Sequence, residues 1–243
     1  MRAVPLSARY SIYISDDHAF GTDAVLLADF AAAGKKKLTA CDFGTGCGIV
    51  PMLLVRAGAV KKAVGVELQE QAVRQAEQTV SENGLTDTVS ILQADFTRKL
   101  DLAAGSFDLV TCNPPYAAVG SGILSETDSD QIARHETACS VTEICEAAAR
   151  LVRFGGRFCI CQRPDRLTDY MVAMREAGLE PKRLRFVITR QGEAPWLVLL
   201  EGRRGGKPGL AVMPPLYTEE NGVLSREMLT IYGDYKEGHG VSV

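Results

Sequence analysis

No apolar stretch of this chain approaches the ~18 residues that a membrane-crossing helix requires, and its opening, MRAVPLSARYSIY, has no continuous apolar core of the kind a secretory leader needs. Both absences predict a cytoplasmic protein with no membrane partner. Histidine is scarce, with three in 243 residues. His18 and His135 each stand without companion ligands or a nucleophile, and no G-x-S-x-G elbow occurs, which leaves hydrolase chemistry without support. The seven cysteines are an odd number, and their spacing, Cys159-x-Cys161 included, fits neither a paired C-x-x-C zinc framework nor a disulfide scaffold. They read as reduced, mostly buried thiols, with no metal site. Excess charge is small too: a formal net charge of −3 excludes a protein that coats nucleic acid indiscriminately, while leaving room for a local basic patch. The single tryptophan, Trp196, reads as core.

What is there is a globular composition, 46% hydrophobic and 23% charged, at a length that favours one α/β domain with some decoration. From Leu38 onward short apolar runs alternate with helical patterns, as in a sheet with helices on both faces. Strands are predicted at Leu38 to Phe43, Ala63 to Glu67, Val89 to Leu92, Phe107 to Cys112, Arg157 to Cys161, Leu184 to Thr189 and Trp196 to Leu200, seven in all. The last two are a short turn apart and should pair as an antiparallel hairpin. Helices are predicted at Ile49 to Ala57, Gln69 to Asn83, Val141 to Val152 and Asp165 to Ala177, with Gly155-Gly156 ending the third. Before them an apolar helix, Ala24 to Ala33, is expected to be capped by Thr22 or Asp23. Gly202 to Gly209 resembles a linker, so the chain divides into an extension over 1–37, a sheet domain over 38–202 and a second extension over 203–243. The second extension should lie over the domain surface, with its last ten residues mobile.

The segment DFGTGCG, residues 42 to 48, sits between the first strand and the first sheet helix. Its alternating glycines let backbone approach a ligand closely, and the helix N-terminus behind them presents unpaired N–H groups. A nicotinamide fingerprint requires G-x-G-x-x-G or G-x-G-x-x-A, and Gly44, Gly46 and then Ile49 break that spacing. Glu67 closes the second strand in VGVELQ, where an acid can accept from ribose hydroxyls, and Leu68 follows it. Asp95, in LQADF, is positioned to accept from an adenine amino group, with Phe96 beside it to cover the ring. In this order and at these separations, DFGTGCG, GVEL and QADF resemble the motif series of class I S-adenosylmethionine-dependent methyltransferases. The resemblance implies a Rossmann-like, seven-stranded mixed sheet with an antiparallel last strand and S-adenosyl-L-methionine as cofactor. It also implies that Asp42, Gly44, Gly46 and Gly48 surround the methionine part, that Glu67 meets the ribose and Asp95 the adenine, and that Leu68 and Phe96 are among the cofactor-binding residues.

The fourth strand runs into Asn113-Pro114-Pro115-Tyr116. Proline after Asn113 holds it extended, and two successive prolines stiffen the turn while removing N–H donors. What remains points acceptors: the Asn113 side-chain oxygen and the Pro114 carbonyl can receive both hydrogens of a planar –NH2, and Tyr116 offers a face for a base. NPPY resembles the signature of amino-methyltransferases acting on adenine N6, guanine N2 or glutamine N5.

Some thirty-seven residues precede the first sheet strand, fewer than the helical domain of release-factor glutamine methyltransferases or the duplicated half of ribosomal guanine enzymes. GTDAVLL at 21 to 27, ARHE at 133 to 136 and PPLYTEENGVLS near the end are instead similar to the bacterial tRNA1(Val) adenosine-37 N6-methyltransferases. That resemblance implies tRNA, through its anticodon loop, as partner. It puts Thr22 and Asp23 near the cofactor's amino-acid end and Asn113 beside both cofactor and base. Arg134 and His135 are candidates for touching RNA or, more simply, for capping and surface roles. The cations Lys182, Arg183, Arg185, Arg190, Arg203, Arg204 and Lys207 suit either phosphate contacts or the guarding of a sheet edge. Two other readings stay open: another amino-methyltransferase, or an RNA-binding module on the same fold that does not catalyse.

Overall fold

The computed structural model describes residues 1–16, 18–34, 36–114 and 139–236. Its centre is one mixed sheet of β3 (Leu38–Phe43), β4 (Val60–Glu67), β5 (Val89–Gln93), β6 (Phe107–Cys112), β7 (Val152–Gln162), β8 (Leu179–Ile188) and β9 (Leu197–Arg204). They lie in the order β5-β4-β3-β6-β7-β9-β8, and β9 is antiparallel to both its neighbours. These are the seven expected strands. Two further strands, β10 (Ala211–Val212) and β11 (Leu216–Tyr217), each two residues long, pair in parallel with β8 and cover its outer edge, which removes a template for pairing with other chains.

Side chains alternate across the sheet, so the two faces build separate cores. Ala40, Leu109, Cys159, Cys161 and Leu199 point to one side, where α1 (Thr22–Ala32) and α2 (Ile49–Arg56) cover them. Cys41, Phe43, Val110, Phe158 and Ile160 point to the other, under α4 (Val141–Leu151) and α5 (Leu167–Glu176). The remaining sheet helix, α3 (Glu70–Glu82), connects β4 to β5. No helix among the described residues is long and apolar enough to cross a membrane.

Gly155-Gly156 does not end a helix. α4 stops at Leu151 and β7 begins at once, with Val152 opposite Phe107 but Arg157 opposite Leu109, so residues 153–156 form a bulge. Gly155 takes φ +74 there, and a Cβ on Gly156 would lie 2.8 Å from Val152 Cγ1. The capping expectation for α1 also changes. Its N-cap is Gly21, and Asp23 instead accepts the Ala24 N–H at 2.9 Å. Trp196 is not core but 37% exposed, just before β9. The glycine- and arginine-rich stretch begins inside β9, which runs to Arg204.

The two ends of the chain are tied to the sheet domain by polar ladders. The hairpin of β1 (Arg2–Pro5) and β2 (Ser11–Ile14) turns the outer edge of β2 toward α3. There Asn83 accepts from Ser11 N, Thr79 Oγ1 accepts from Tyr13 N, and Gln75 accepts from the Ser15 hydroxyl. The match is one of pitch: four helical residues rise about 6 Å, and two strand residues about 6.6 Å. A helix face at i, i+4, i+8 thus reads every second residue of a strand edge. Arg56, at the end of α2, donates to Leu6 O and to Ile231 O and Tyr232 O at the end of α6 (Arg226–Tyr232). Leu216, Met228 and Ile231 are buried in the core shared by α1 and α2, so this C-terminal segment completes a core as well as covering a surface. The expectation of mobility for the last ten residues falls largely on 237–243, outside the described residues.

The C-terminal end of α1 has no basic residue of its own in the last turn. Two arginines from the sheet supply the missing charge: Arg157 donates to Ala31 O and Arg183 to Phe30 O, and both pair with Glu201, which is buried on β9. The guanidinium of Arg183 also lies 4.3 Å from the Phe30 ring centroid. This triad sets where the other end of α1, and with it Asp23, lies over the sheet.

Candidate active site

Ligands of open α/β sheets bind beyond the carboxyl ends of the parallel strands, and every polar group singled out on β3 to β6 lies there. Asp42 is buried near the end of β3. Its Oδ1 accepts from the Thr111 hydroxyl on β6 at 2.6 Å. Burial pushes its carboxyl up to about 7, opposed by the Thr111 and Thr45 hydroxyls and reinforced by the Glu67 carboxylate. The loop that follows carries positive φ at Gly44, Gly46 and Gly48, and a Cβ on Gly44 or Gly46 would meet no atom within 4 Å. Bare backbone therefore faces open space at these two positions. Gly65, on the neighbouring strand, makes the loop possible, because a Cβ there would lie 2.7 Å from Thr45 Cγ2.

Glu67 is bound by the backbone of two loops. Its Oε2 accepts from Gly46 N at 2.9 Å, and its Oε1 from Leu68 N and Gln69 N at 2.8 and 2.9 Å. A carboxylate has about four acceptor positions, so three on Glu67 are taken and one is left open. Leu68, beside it, is 40% exposed. Asp95 closes a turn after β5, its Oδ1 accepting from Thr97 N and Thr97 Oγ1. Phe96 stacks on Phe43 with centroids 4.6 Å apart and planes 2° from parallel.

Asn113 and Pro114 leave the sheet next to the glycine loop. Phe43 is in register with Cys112 on the adjacent strand, so Gly44 and Asn113 emerge about one strand spacing, ~4.8 Å, apart. The Asn113 amide is held at both ends: Nδ2 donates to Asp23 Oδ2 at 3.1 Å, and Oδ1 lies 3.0 Å from Cys161 Sγ. Pro114 is buried. Tyr116, Arg134 and His135 lie outside the described residues. Thr22, next to Asp23, shares a 2.8 Å hydrogen bond with the Tyr232 hydroxyl. The Tyr232 ring packs on Tyr235 and Tyr235 on Phe20, with centroids 5.7 and 5.8 Å apart.

Sequence reasoning missed Thr111, Cys161, Gly65 and Tyr232. A threonine in FDLVTC and a cysteine in CICQ read as ordinary strand interior, and no spacing links them to residues 42 or 113. The seven cysteines form no disulfide, and all but Cys139 are buried. Burial pushes the Cys47 thiol up to about 12 and that of Cys112 well above its usual range, so neither is a thiolate at neutral pH. Among the described residues no cluster of His, Cys, Asp and Glu is arranged to hold a metal.

The basic stretch is largely engaged with its own chain. Arg183 is part of the Glu201 triad, Arg185 forms a two-pronged pair with Glu227, and Arg190 pairs with Glu219. Lys182 donates to Lys207 O and Gly209 O, Arg203 to Gly155 O and Arg204 to Val152 O. These bonds favour the sheet-edge role.

Comparison with known proteins adds three kinds of likeness. A methyltransferase-domain family matches residues 34–183. The curated tRNA1(Val) (adenine(37)-N6)-methyltransferase of Tolumonas auensis is 31% identical over 211 residues, 85% of this chain and 81% of that protein. The protein of the same name from Bacteroides thetaiotaomicron is 28% identical over 182 residues, 74% of each chain. Among solved structures, that of a predicted O-methyltransferase from Agrobacterium tumefaciens superposes with a TM-score of 0.69 at 19% identity, covering 88% of this chain and 96% of that one. Geranyl diphosphate C-methyltransferase from Streptomyces coelicolor, in complex with Mg2+, geranyl diphosphate and S-adenosyl-L-homocysteine, gives 0.55 at 14% identity, covering 74% and 78%. The likeness to these two is one of fold.

Proposed function

Because the chain belongs to the tRNA1(Val) (adenine(37)-N6)-methyltransferase family within the class I methyltransferases, we propose that it methylates N6 of adenosine 37 in the anticodon loop of a valine tRNA, in the cytoplasm. It is an S-adenosylmethionine-dependent enzyme, and its substrate is tRNA. The cofactor, when bound, supplies a methyl group on a positively charged sulfur, open to attack by a nitrogen lone pair.

The residues at the sheet edge fit that cofactor. Gly44 and Gly46 offer a cradle without side chains, Glu67 and Asp95 are acceptors suited to a nucleoside's hydroxyl and amino donors, and Leu68 and Phe96 are apolar flanks for its rings. In this reading Asp42 and Gly48 shape the same loop, and Thr22 and Asp23 close the amino-acid end.

One observation carries the acceptor assignment: the cofactor loop and Asn113 leave adjacent strands at neighbouring register positions. An amino group gripped by Asn113 Oδ1 and the Pro114 carbonyl would therefore lie beside a cofactor held by the glycine loop. Both oxygens accept N–H bonds, which tilts the nitrogen lone pair out of conjugation with the ring and toward the methyl carbon. A nitrogen that took up a methyl group here would become acidic. The same oxygens then bind its protons more strongly than in the ground state, which is the condition for lowering the barrier. The surplus proton leaves to water, so no strong base is needed. Tyr116 is assigned the stacking face for adenine. Phe20, Tyr232 and Tyr235, two residues or fewer from the Thr22–Asp23 step in sequence or contact, are suited to flanking loop bases. An anticodon-loop adenosine is already unpaired, which lowers the cost of presenting it.

The test is incubation of the purified protein with methyl-labelled cofactor and tRNA lacking the modification, followed by mass mapping of the product. N6-methyladenosine at position 37 of valine tRNA is expected. Label in release factor instead of RNA would replace this reading with glutamine methylation, and binding of tRNA without turnover would leave only an RNA-binding role.

A further inference from the structure

Cys161 is fully buried near the end of β7, on the face of the sheet that α1 covers. Its sulfur lies 3.0 Å from Oδ1 of Asn113, a residue 48 positions earlier on the neighbouring strand's exit. On the far side of the same amide, Asp23 Oδ2 receives the Nδ2 donor at 3.1 Å. The chemistry of the two partners fixes which end of the amide is which. A carboxylate only accepts, so the NH2 must face Asp23. The thiol carries one S–H donor, and the amide oxygen faces it.

From this we propose that Cys161 is a positioning residue for methyl transfer: its S–H bond locks the rotation of Asn113 so that the second lone pair of Oδ1 is aimed at the acceptor amine. The inference rests on the reading of Asn113 as the group that grips that amine. The terminal torsion of asparagine is broad, and a single bond to Asp23 would leave Oδ1 free to swing about it. Two bonds at opposite ends of a planar group remove that freedom. The two partners also act on the oxygen's electrons in a useful sense. A negative carboxylate against the NH2 favours the resonance form with more charge on Oδ1. A thiol, as a weak donor, draws little of that charge back. An oxygen so tuned strengthens its hold as the substrate nitrogen becomes acidic. A hydroxyl at 161 retains the donor on a shorter bond, whereas a methyl group removes it.

Three variants and one spectroscopic readout decide the matter. In Cys161→Ala, kcat for tRNA methylation is expected to fall about ten- to a hundredfold, as for a small misplacement of a reacting group. KM for tRNA and the Kd for S-adenosylmethionine should stay within about threefold of wild type. Cys161→Ser should recover most of the loss. Infrared difference spectra of wild type against Cys161→Ala give the S–H stretch of this thiol. Hydrogen bonding should lower that stretch relative to the other buried thiols, and Asn113→Ala should return it to higher frequency. A wild-type kcat in Cys161→Ala, equal losses in the alanine and serine variants, or an S–H band indifferent to Asn113 would each overturn the proposal. If the band responds but Asn113→Ala still methylates at full rate, the reading of Asn113 beneath the proposal has failed, and the contact is only structural.

Discussion

On the cofactor side of the cleft Glu67 and Asp95 are held by the backbone of loops at their own or the adjoining strand end, Glu67 by Gly46, Leu68 and Gln69, and Asp95 by Thr97. On the acceptor side Asn113 is held by side chains 90 and 48 residues away, on α1 and β7. The first arrangement carries its own geometry wherever the strands pair. The second exists only when the N-terminal helix is docked, and that docking depends on Arg157, Arg183 and Glu201 at the helix's opposite end. Damage to the extension should therefore slow turnover well before it loosens the cofactor, and damage to the loops should do the reverse.

The sharpest way to break this contrast is Asn113→Ala. Loss of an oxygen that binds most tightly in the transition state is expected to lower kcat on the order of 10²- to 10³-fold, while the cofactor Kd measured by calorimetry changes less than about threefold. A parallel loss of cofactor affinity would mean the two halves are one unit. The converse test is Glu67→Ala, which removes a charge-assisted acceptor and unpins Gly46. A rise in cofactor Kd of about 10- to 100-fold is expected, with kcat at saturating cofactor largely restored.

The same contrast explains what could be read from the sequence. DFGTGCG, GVEL and QADF are visible because local loops must be written locally: a positive φ needs glycine, and an acid at a strand end must sit at the strand end. The mixed sheet with an antiparallel last strand followed from the resemblance these motifs carried, and the antiparallel pairing of β8 with β9 also from the short turn between them. Asn113 was legible through the stiffness of the prolines beside it. Cys161 and Thr111 were not, because what selects them is register between neighbouring strands, and a period-two apolar pattern looks the same whether its inward residue meets a leucine or an amide. The side chains Gln75, Thr79 and Asn83 on α3 were hidden for a similar reason. Their spacing is that of any helix face, and only the docked edge of β2 turns polarity there into a bonding pattern. Gly155-Gly156 misled because the dipeptide that ends helices is also the one that permits a bulge in β7.

A smaller effect concerns Asp42, which sits between the two halves and bonds Thr111 across them. Its carboxyl is raised from 3.8 to about 7, chiefly by burial. The folded protein therefore keeps a proton that the unfolded chain has already lost. The stability linked to it is fully present below pH 4 and is lost as pH rises through about 7. Between pH 6 and 8 the Asp42 contribution to unfolding free energy should fall by on the order of 1 kcal/mol. Denaturant titrations of wild type and Asp42→Asn across that range check it: the variant should lack this slope, and an identical slope in both proteins would place the proton elsewhere.

The smallest expected effect is at Arg190, and it separates the site from the basic edge of the sheet. If the cations between 182 and 207 tracked the RNA backbone, their side chains would be held ready for phosphate. Instead Arg190 bonds Glu219 at 2.7 Å and Arg185 bonds Glu227 through both of its terminal nitrogens. A phosphate would have to displace those carboxylates, giving up one charge pair to form another in the same solvent. Arg190→Gln should accordingly change KM for tRNA by less than about threefold and leave its dependence on salt unaltered. A phosphate contact would show differently, as weaker binding to every tRNA and a salt slope reduced by about one. That outcome would move the RNA footprint from the aromatic side of α1 to the outer edge of β8, and the acceptor half would then extend across the sheet and no longer be centred on Asn113.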